Sequence, residues 1–113
     1  MDAAVNPARG EVALVIDGRK RVLRLTLGAL AALEARLEAD SLLALAERFD
    51  EGRVNSAELI SLLAAGLAGA GEPIDEEGLA QASIDGGVVA ALHVGVKLLE
   101  QAFQPFQADP RDG

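Results

Sequence analysis

The chain has no cysteine, no tyrosine and no tryptophan, and it has one histidine in 113 residues. Without cysteine, disulfides, thiolate metal sites and cysteine nucleophiles are excluded together, and nothing requires an oxidising compartment. The single imidazole, His93, would leave carboxylates to supply every other ligand of a transition metal, and their spacing offers no such set. A Ser-His-Asp arrangement would have to recruit one of four serines, none of which stands in a nucleophile-elbow pattern. His93 falls one turn after Val89 and one before Lys97 on a predicted helix, the place of a boundary histidine at the edge of an apolar stripe. No cofactor is implied.

Long apolar runs are also missing. The longest, Leu59 to Gly71, is about 13 residues, short of the roughly 20 that a spanning helix needs, so no membrane association is expected. The first ten residues lack the basic-then-apolar layout of a secretory signal. Basic residues are scarce: residues 1–26 hold five Lys/Arg against three Asp/Glu, and residues 27–113 hold five against fifteen. An acidic chain without aromatic stacking residues is a poor nucleic-acid binder, because phosphates need a positive surface. The one basic cluster, Arg19, Lys20, Arg21 and Arg24, reads as the polar decoration of a hairpin or as a contact for a specific acidic partner.

Two patterns come close to ligand-binding motifs and fail on chemistry. Gly66, Gly69 and Gly71 give G-x-x-G-x-G, with no preceding strand and no helix opening from it, so a dinucleotide site is excluded; no Walker-type Gly-Lys-Ser/Thr occurs. The stretch Glu47 to Glu58 imitates a calcium loop, with Gly52 sixth and Glu58 twelfth. Its third position is Phe49, which supplies no oxygen. The better reading is a helix-turn-helix connection that needs a glycine turn and an acidic start to the second helix.

What is present is small and aliphatic. Half of the residues are hydrophobic, mostly Ala, Leu and Val, and the length suits one domain that buries roughly two thirds of its unfolded surface. Val12, Leu14 and Ile16 alternate before Asp17-Gly18, and Val22, Leu23 and Leu25 follow, which predicts a hairpin with strands near 11–16 and 20–25. Thr26 is placed to cap a helix over 27–38 through Leu27, Leu30, Leu33 and Leu37. Ser41 is placed to cap a second, striped by Leu42, Leu45, Ala46 and Phe49 and stopped by Gly52. Asn55 with Glu58 has capping-box character and introduces a third helix over 56–69, carrying Leu59, Ile60, Leu63 and Leu67, with fraying or a turn expected at its end over Gly66 to Gly71. Asp75 heads a short helix over 76–81. The last, over 87–104, carries Val88, Leu92, Val96, Leu99 and Phe103, and Pro105 halts it.

The predicted fold class is therefore α+β, mainly helical, with an N-terminal β-hairpin packed on about four to five α-helices. The expected organisation is a flexible tail over 1–9, a single domain over 10–104 and a flexible tail over 105–113. The hairpin should pack on helices 27–38 and 87–104, burying Leu14, Ile16, Leu25, Leu30, Leu33, Leu63, Leu92 and Val96.

The order of segments resembles a known family. The run Arg9-Gly10-Glu11, Ile16-Asp17-Gly18, Leu23-Arg24-Leu25-Thr26-Leu27-Gly28-Ala29-Leu30 and Leu33-Glu34 is the specific part. Weaker agreement follows in Leu45-Ala46-Glu47-Arg48-Phe49, Gly66-Leu67, Gly69-Ala70-Gly71, Gly86-Gly87 and Ala102-Phe103. Over about residues 8–104 the chain is similar to the tail assembly chaperone of gene transfer agents and related tailed phages.

The resemblance implies a non-enzymatic factor in the cytoplasm of a bacterial host cell, absent from the finished particle. Its implied partners are the long helical tape-measure protein, which it keeps soluble, and the tail-tube subunits that assemble around it. A homo-oligomer is expected, because linked copies gain avidity on a long rod. Some naming of this family as a tail tube protein leaves a structural tail component as the alternative. The partner-binding residues expected from the sequence are Leu99, Phe103 and Phe106, where an apolar helix end meets an aromatic in a Gln-rich segment. The competing reading is that Phe103 caps the core and Phe106 folds back over it.

Overall fold

A computed structural model describes residues 10–38 and 41–102, with Leu42 described by its backbone alone. Two strands, β1 (Val12–Ile16) and β2 (Arg19–Leu23), precede five helices: α1 (Leu27–Leu37), α2 (Leu42–Asp50), α3 (Ser56–Gly69), α4 (Glu76–Gln81) and α5 (Gly87–Ala102). The fold is mainly helical α+β, as predicted. The tails over 1–9 and 105–113, the Pro105 stop, Phe103 and Phe106 lie outside the described residues.

The strands pair antiparallel with Ile16 opposite Arg19, which leaves a two-residue loop. Asp17 and Gly18 both take positive φ, 52° and 78°, the left-handed pair that matches the twist of a tight hairpin. Val12, Leu14 and Ile16 are buried along β1. The second strand ends at Leu23, short of the expected 25, because the Arg24 N–H leaves the ladder and donates to Gly66 O of α3 at 2.8 Å.

The helix starts follow local chemistry. The Thr26 and Ser41 hydroxyls accept from Ala29 N–H and Ala44 N–H, each at 3.0 Å, and the Asp75 carboxylate accepts from Gly78 N–H at 2.8 Å. Each satisfies a first-turn donor that the helix itself cannot. Of the fraying or turn expected over Gly66 to Gly71, helix α3 shows the turn. It continues to Gly69 and closes when Glu72 N–H donates to Leu67 O and Gly71 N–H to Ala68 O, with Gly71 at φ 86°, the Schellman arrangement.

Helix α3 is the axis of the molecule. Leu59, Leu62, Leu63, Gly66 and Leu67 are buried around it, and α1, β2, α4 and α5 all pack on it. The hairpin therefore sits differently from expectation: β1 lies on α5, but β2 lies on α3, and α1 packs on α3. Small residues explain the choice. A Cβ at Gly69 would stand 2.0 Å from Arg24 O, and one at Gly66 would press on Leu23 and Leu98 at 3.0–3.2 Å. Only glycine lets the chain leaving β2 cross α3 so closely.

The expected stripe on α5 also needs correction. Leu92 and Val96 are only partly buried and Val88 is 74% exposed; the face in the core carries Ala91, Val94, Gly95, Leu98 and Leu99. A Cβ at Gly95 would meet Leu62 at 2.9 Å. The helices cross closest where α5 is smallest, so the large residues at 88, 92 and 96 are turned aside. Leu25 is likewise only partly buried, since the chain is already departing toward α1.

Candidate functional site

Turning Val88 and Leu92 away from the core leaves an apolar groove of about 480 Å³ between α3, α4 and the first half of α5. Its floor is Leu59, Ile60 and Leu63 of α3, with Ala91 and Leu92 of α5 beside them. Leu79 of α4 and Ile84 form the opposite wall, and Val54 closes the end. No charged side chain lines it among the described residues, although a quarter of the chain is charged. Val88 stands at its lip, 74% exposed, and Val89, the next residue of α5, is 79% exposed.

Each wall is held from outside the groove. The closed end is the α2–α3 turn, stopped by Gly52 at φ 72°. Asn55 Oδ1 accepts from Glu58 N–H at 2.8 Å and Glu58 Oε1 accepts from Asn55 N–H at 3.1 Å, so the capping box is complete. Glu58 also pairs with Arg48 of α2. The Arg48 hydrogen bond, against a smaller opposing effect of burial and helped by the Asn55 N–H, holds the Glu58 carboxyl below its usual range. The twelfth position of the calcium-like loop is thus engaged by an arginine and a backbone amide, and its third position, Phe49, is fully buried.

The α4 wall is tied down through Glu76. One carboxylate oxygen accepts from Arg36 of α1 at 2.7 Å and the other from the buried Ser61 hydroxyl of α3 at 3.2 Å. The segment carrying Ile84 adds a short third rung to the hairpin, opposite Ile16. Asp17 N–H donates to Ser83 O at 2.7 Å, Asp85 N–H to Val15 O at 3.0 Å, and Ser83 N–H to the Asp17 carboxylate at 2.8 Å. Asp17 therefore works twice, as a turn residue and as an anchor for the groove wall. Nothing local marks that second role, because its partner lies 66 residues away.

The residues expected to meet a partner are distributed differently. Leu99 is 1% exposed and belongs to the core at the far half of α5, while Phe103 and Phe106 lie outside the described residues. His93 is exposed on α5. In the basic cluster Arg19 and Lys20 are exposed; Arg21 is partly buried opposite Leu14 and reaches Glu72 at 3.5 Å, its Nε buried without a hydrogen-bond partner. Sequence reasoning missed Val88 and Val89 as surface residues, and the only signal for them was the small pair Ala91 and Gly95 on the adjacent face.

A rigid, uncharged, aliphatic groove can bury apolar surface without directional bonds, which suits the face of an amphipathic helix. Among comparisons with known proteins, the model of a family described as "Phage tail tube protein, GTA-gp10" matches residues 9–105. Neither curated proteins nor solved structures give a match.

Proposed function

The chain belongs to the phage tail assembly chaperone family that includes GTA-gp10, and on that basis we propose that it is a non-enzymatic chaperone that holds the tape-measure protein during tail assembly. The observation that carries the reading is the groove with the exposed Val88 at its lip and the exposed Val89 next to it in the chain. On this reading the client is a long helix, and any apolar stripe along it needs cover until the tube surrounds it. Exposed valines on a preorganised wall offer that cover at little ordering cost. On this reading the protein works in the cytoplasm of the bacterial host with tail-tube subunits as further partners, and it is absent from the finished particle.

The family's description as a tail tube protein favours a second reading, a structural tail component. The two five-residue strands of the described residues fit the chaperone better than a tube wall, which is built of long strands closed against their neighbours. Capture of the co-expressed tape-measure product tests the proposal. Val88→Asp with Val89→Asp should weaken capture by at least tenfold, the scale of one to two moderate hot-spot residues. Undiminished capture would remove the groove from the reading, and recovery of the protein in stoichiometric amounts from purified particles would favour the tail component.

A further inference from the structure

The groove has an uncharged lining and an acidic surround. We infer that its occupant is an amphipathic helix whose apolar stripe is flanked by lysine or arginine, a conclusion that rests on the client reading for the groove's being a docking site and adds the chemistry of the helix.

The lining selects a helix over an extended segment. It is contributed largely by side chains of α3, α4 and α5, among them Leu59, Ile60, Leu79 and Leu92, and the backbone groups of these elements are bonded within the helices. Ile84, the extended residue of the wall, bridges Ile16, and its carbonyl accepts from Gly87 N–H at 2.9 Å. The wall thus offers a strand no run of free backbone groups. A strand would bring unmet amides against an apolar surface, whereas a helix satisfies its own. The lining on α3 runs from Ser56 to Leu63, two turns and about 10 Å at 1.5 Å per residue. The matching stripe on the occupant is apolar at i, i+4 and i+7.

Charge selects the flanks. Residues 72–86, which carry α4 and the Ile84 wall, hold Glu72, Asp75, Glu76, Glu77 and Asp85 and no Lys or Arg, and residues 87–96 of α5 hold no Asp, Glu, Lys or Arg. The arginines that reach these segments and the α2–α3 turn are each engaged by a carboxylate: Arg21 by Glu72, Arg36 by Glu76, Arg48 by Glu58 and Arg53 by Glu51. Glu77 and Asp85 are exposed and form no ion pair among the described residues. Asp85 stands between the lining residues Ile84 and Gly87, and Glu77 precedes the lining residue Ala80 by one turn of α4, so both carboxylates sit at the border of the apolar wall. A helix with acidic flanks would set like charges together there. So would a helix from a second copy, since residues 27–113, which contain every described helix, hold five Lys/Arg against fifteen Asp/Glu.

Two synthetic helical peptides test this on the full chain. Both carry Leu at i, i+4 and i+7 on an Ala and Gln background, and the stripe is flanked by Lys in one and by Glu at the same positions in the other. By fluorescence anisotropy at low ionic strength, the Lys peptide should bind about fivefold more tightly or better, the scale of two exposed ion pairs. The gap should close in about 0.5 M salt, where screening confines charge effects to a few ångströms. Val88→Asn, which leaves the net charge alone, should weaken the Lys peptide about threefold or more. Glu77→Gln with Asp85→Asn should cut the preference about threefold, whereas Glu38→Gln with Glu100→Gln, the same loss of charge on exposed residues outside the lining, should leave it in place. A Lys peptide with a central proline, which breaks the helix, should bind about fivefold more weakly.

Equal affinity of the two peptides, no binding by either, an unchanged affinity of Val88→Asn, full affinity of the proline peptide, or an equal response to both pairs of charge variants would each overturn the inference. So would self-association of the wild type that Val88→Asn abolishes and the Lys peptide competes away. The client reading fails separately: a protein that prefers the Lys peptide and captures no tape-measure product would keep the chemistry of its groove and lose that client.

Discussion

The two halves of α5 carry similar residues and meet opposite fates. In the first, Val88 and Val89 are 74% and 79% exposed; in the second, Leu98 and Leu99 are each 1% exposed. Both halves are aliphatic and equally helical, so neither propensity nor hydrophobicity separates them. The difference is the neighbours. The second half is covered, with Leu98 against the small face of α3 at Gly66, while the first half stands over a groove between α3 and α4 that no described residue fills. Apolar residues on a helix report that a face wants cover, and only tertiary packing shows whether the chain supplies it.

That contrast breaks most sharply at Leu98. Leu98→Ala removes a side chain buried at 1% from the α3–α5 crossing, and it should destabilise the protein by about 2–5 kcal/mol. A denaturant midpoint within a few tenths of wild type would show that the second half of α5 is no more essential than the first.

A smaller effect is expected where the groove's closed end is pinned. Glu58→Gln keeps the capping box, since Gln also serves at that position, but removes the charge facing Arg48. The loss should be on the order of 1 kcal/mol at neutral pH, given that both partners keep some contact with solvent. The folded-state pKa of Glu58 is lowered, so the stabilisation is present above the unfolded carboxylate value and is lost as pH falls through the folded one. Melting temperatures of wild type and variant should therefore begin to converge once the pH falls below the unfolded carboxylate value of about 4.3. A gap that stays constant from pH 7 downward would mean that the ion pair contributes nothing through its charge.

The smallest effect belongs to the groove lip. Val88→Asp should change stability by no more than about 0.5 kcal/mol, even though the same substitution is expected to affect partner capture. A large fall in melting temperature would show that Val88 supports the core after all and would erase the distinction between the two halves.

Much of this molecule is legible along the chain. The Asp17-Gly18 hairpin, the caps at Thr26, Ser41, Asn55 and Asp75 and the stop at Gly52 all appear where expected. These features depend on donors and acceptors within a few residues of one another, so the chain carries their instructions locally. The buried face of α5 lies about one position away from the stripe of its bulky residues, because Ala91 and Gly95 set the crossing. Helices approach closest where side chains are smallest, and a pattern of large residues points beside that line.

From the amino-acid order alone follow the succession of elements, the helix boundaries to within a residue or two, the absence of thiol chemistry and the family, since each rests on composition or on neighbours along the chain. Packing in three dimensions was needed to place β2 on α3, to make Asp17 the anchor of the segment around Ile84, to put Leu99 in the core, and to leave Val88 at the edge of a groove. These depend on contacts between residues tens of positions apart, where the depth of a glycine crossing sets the rotation of a helix and so selects which of two adjacent apolar faces is left outside the core.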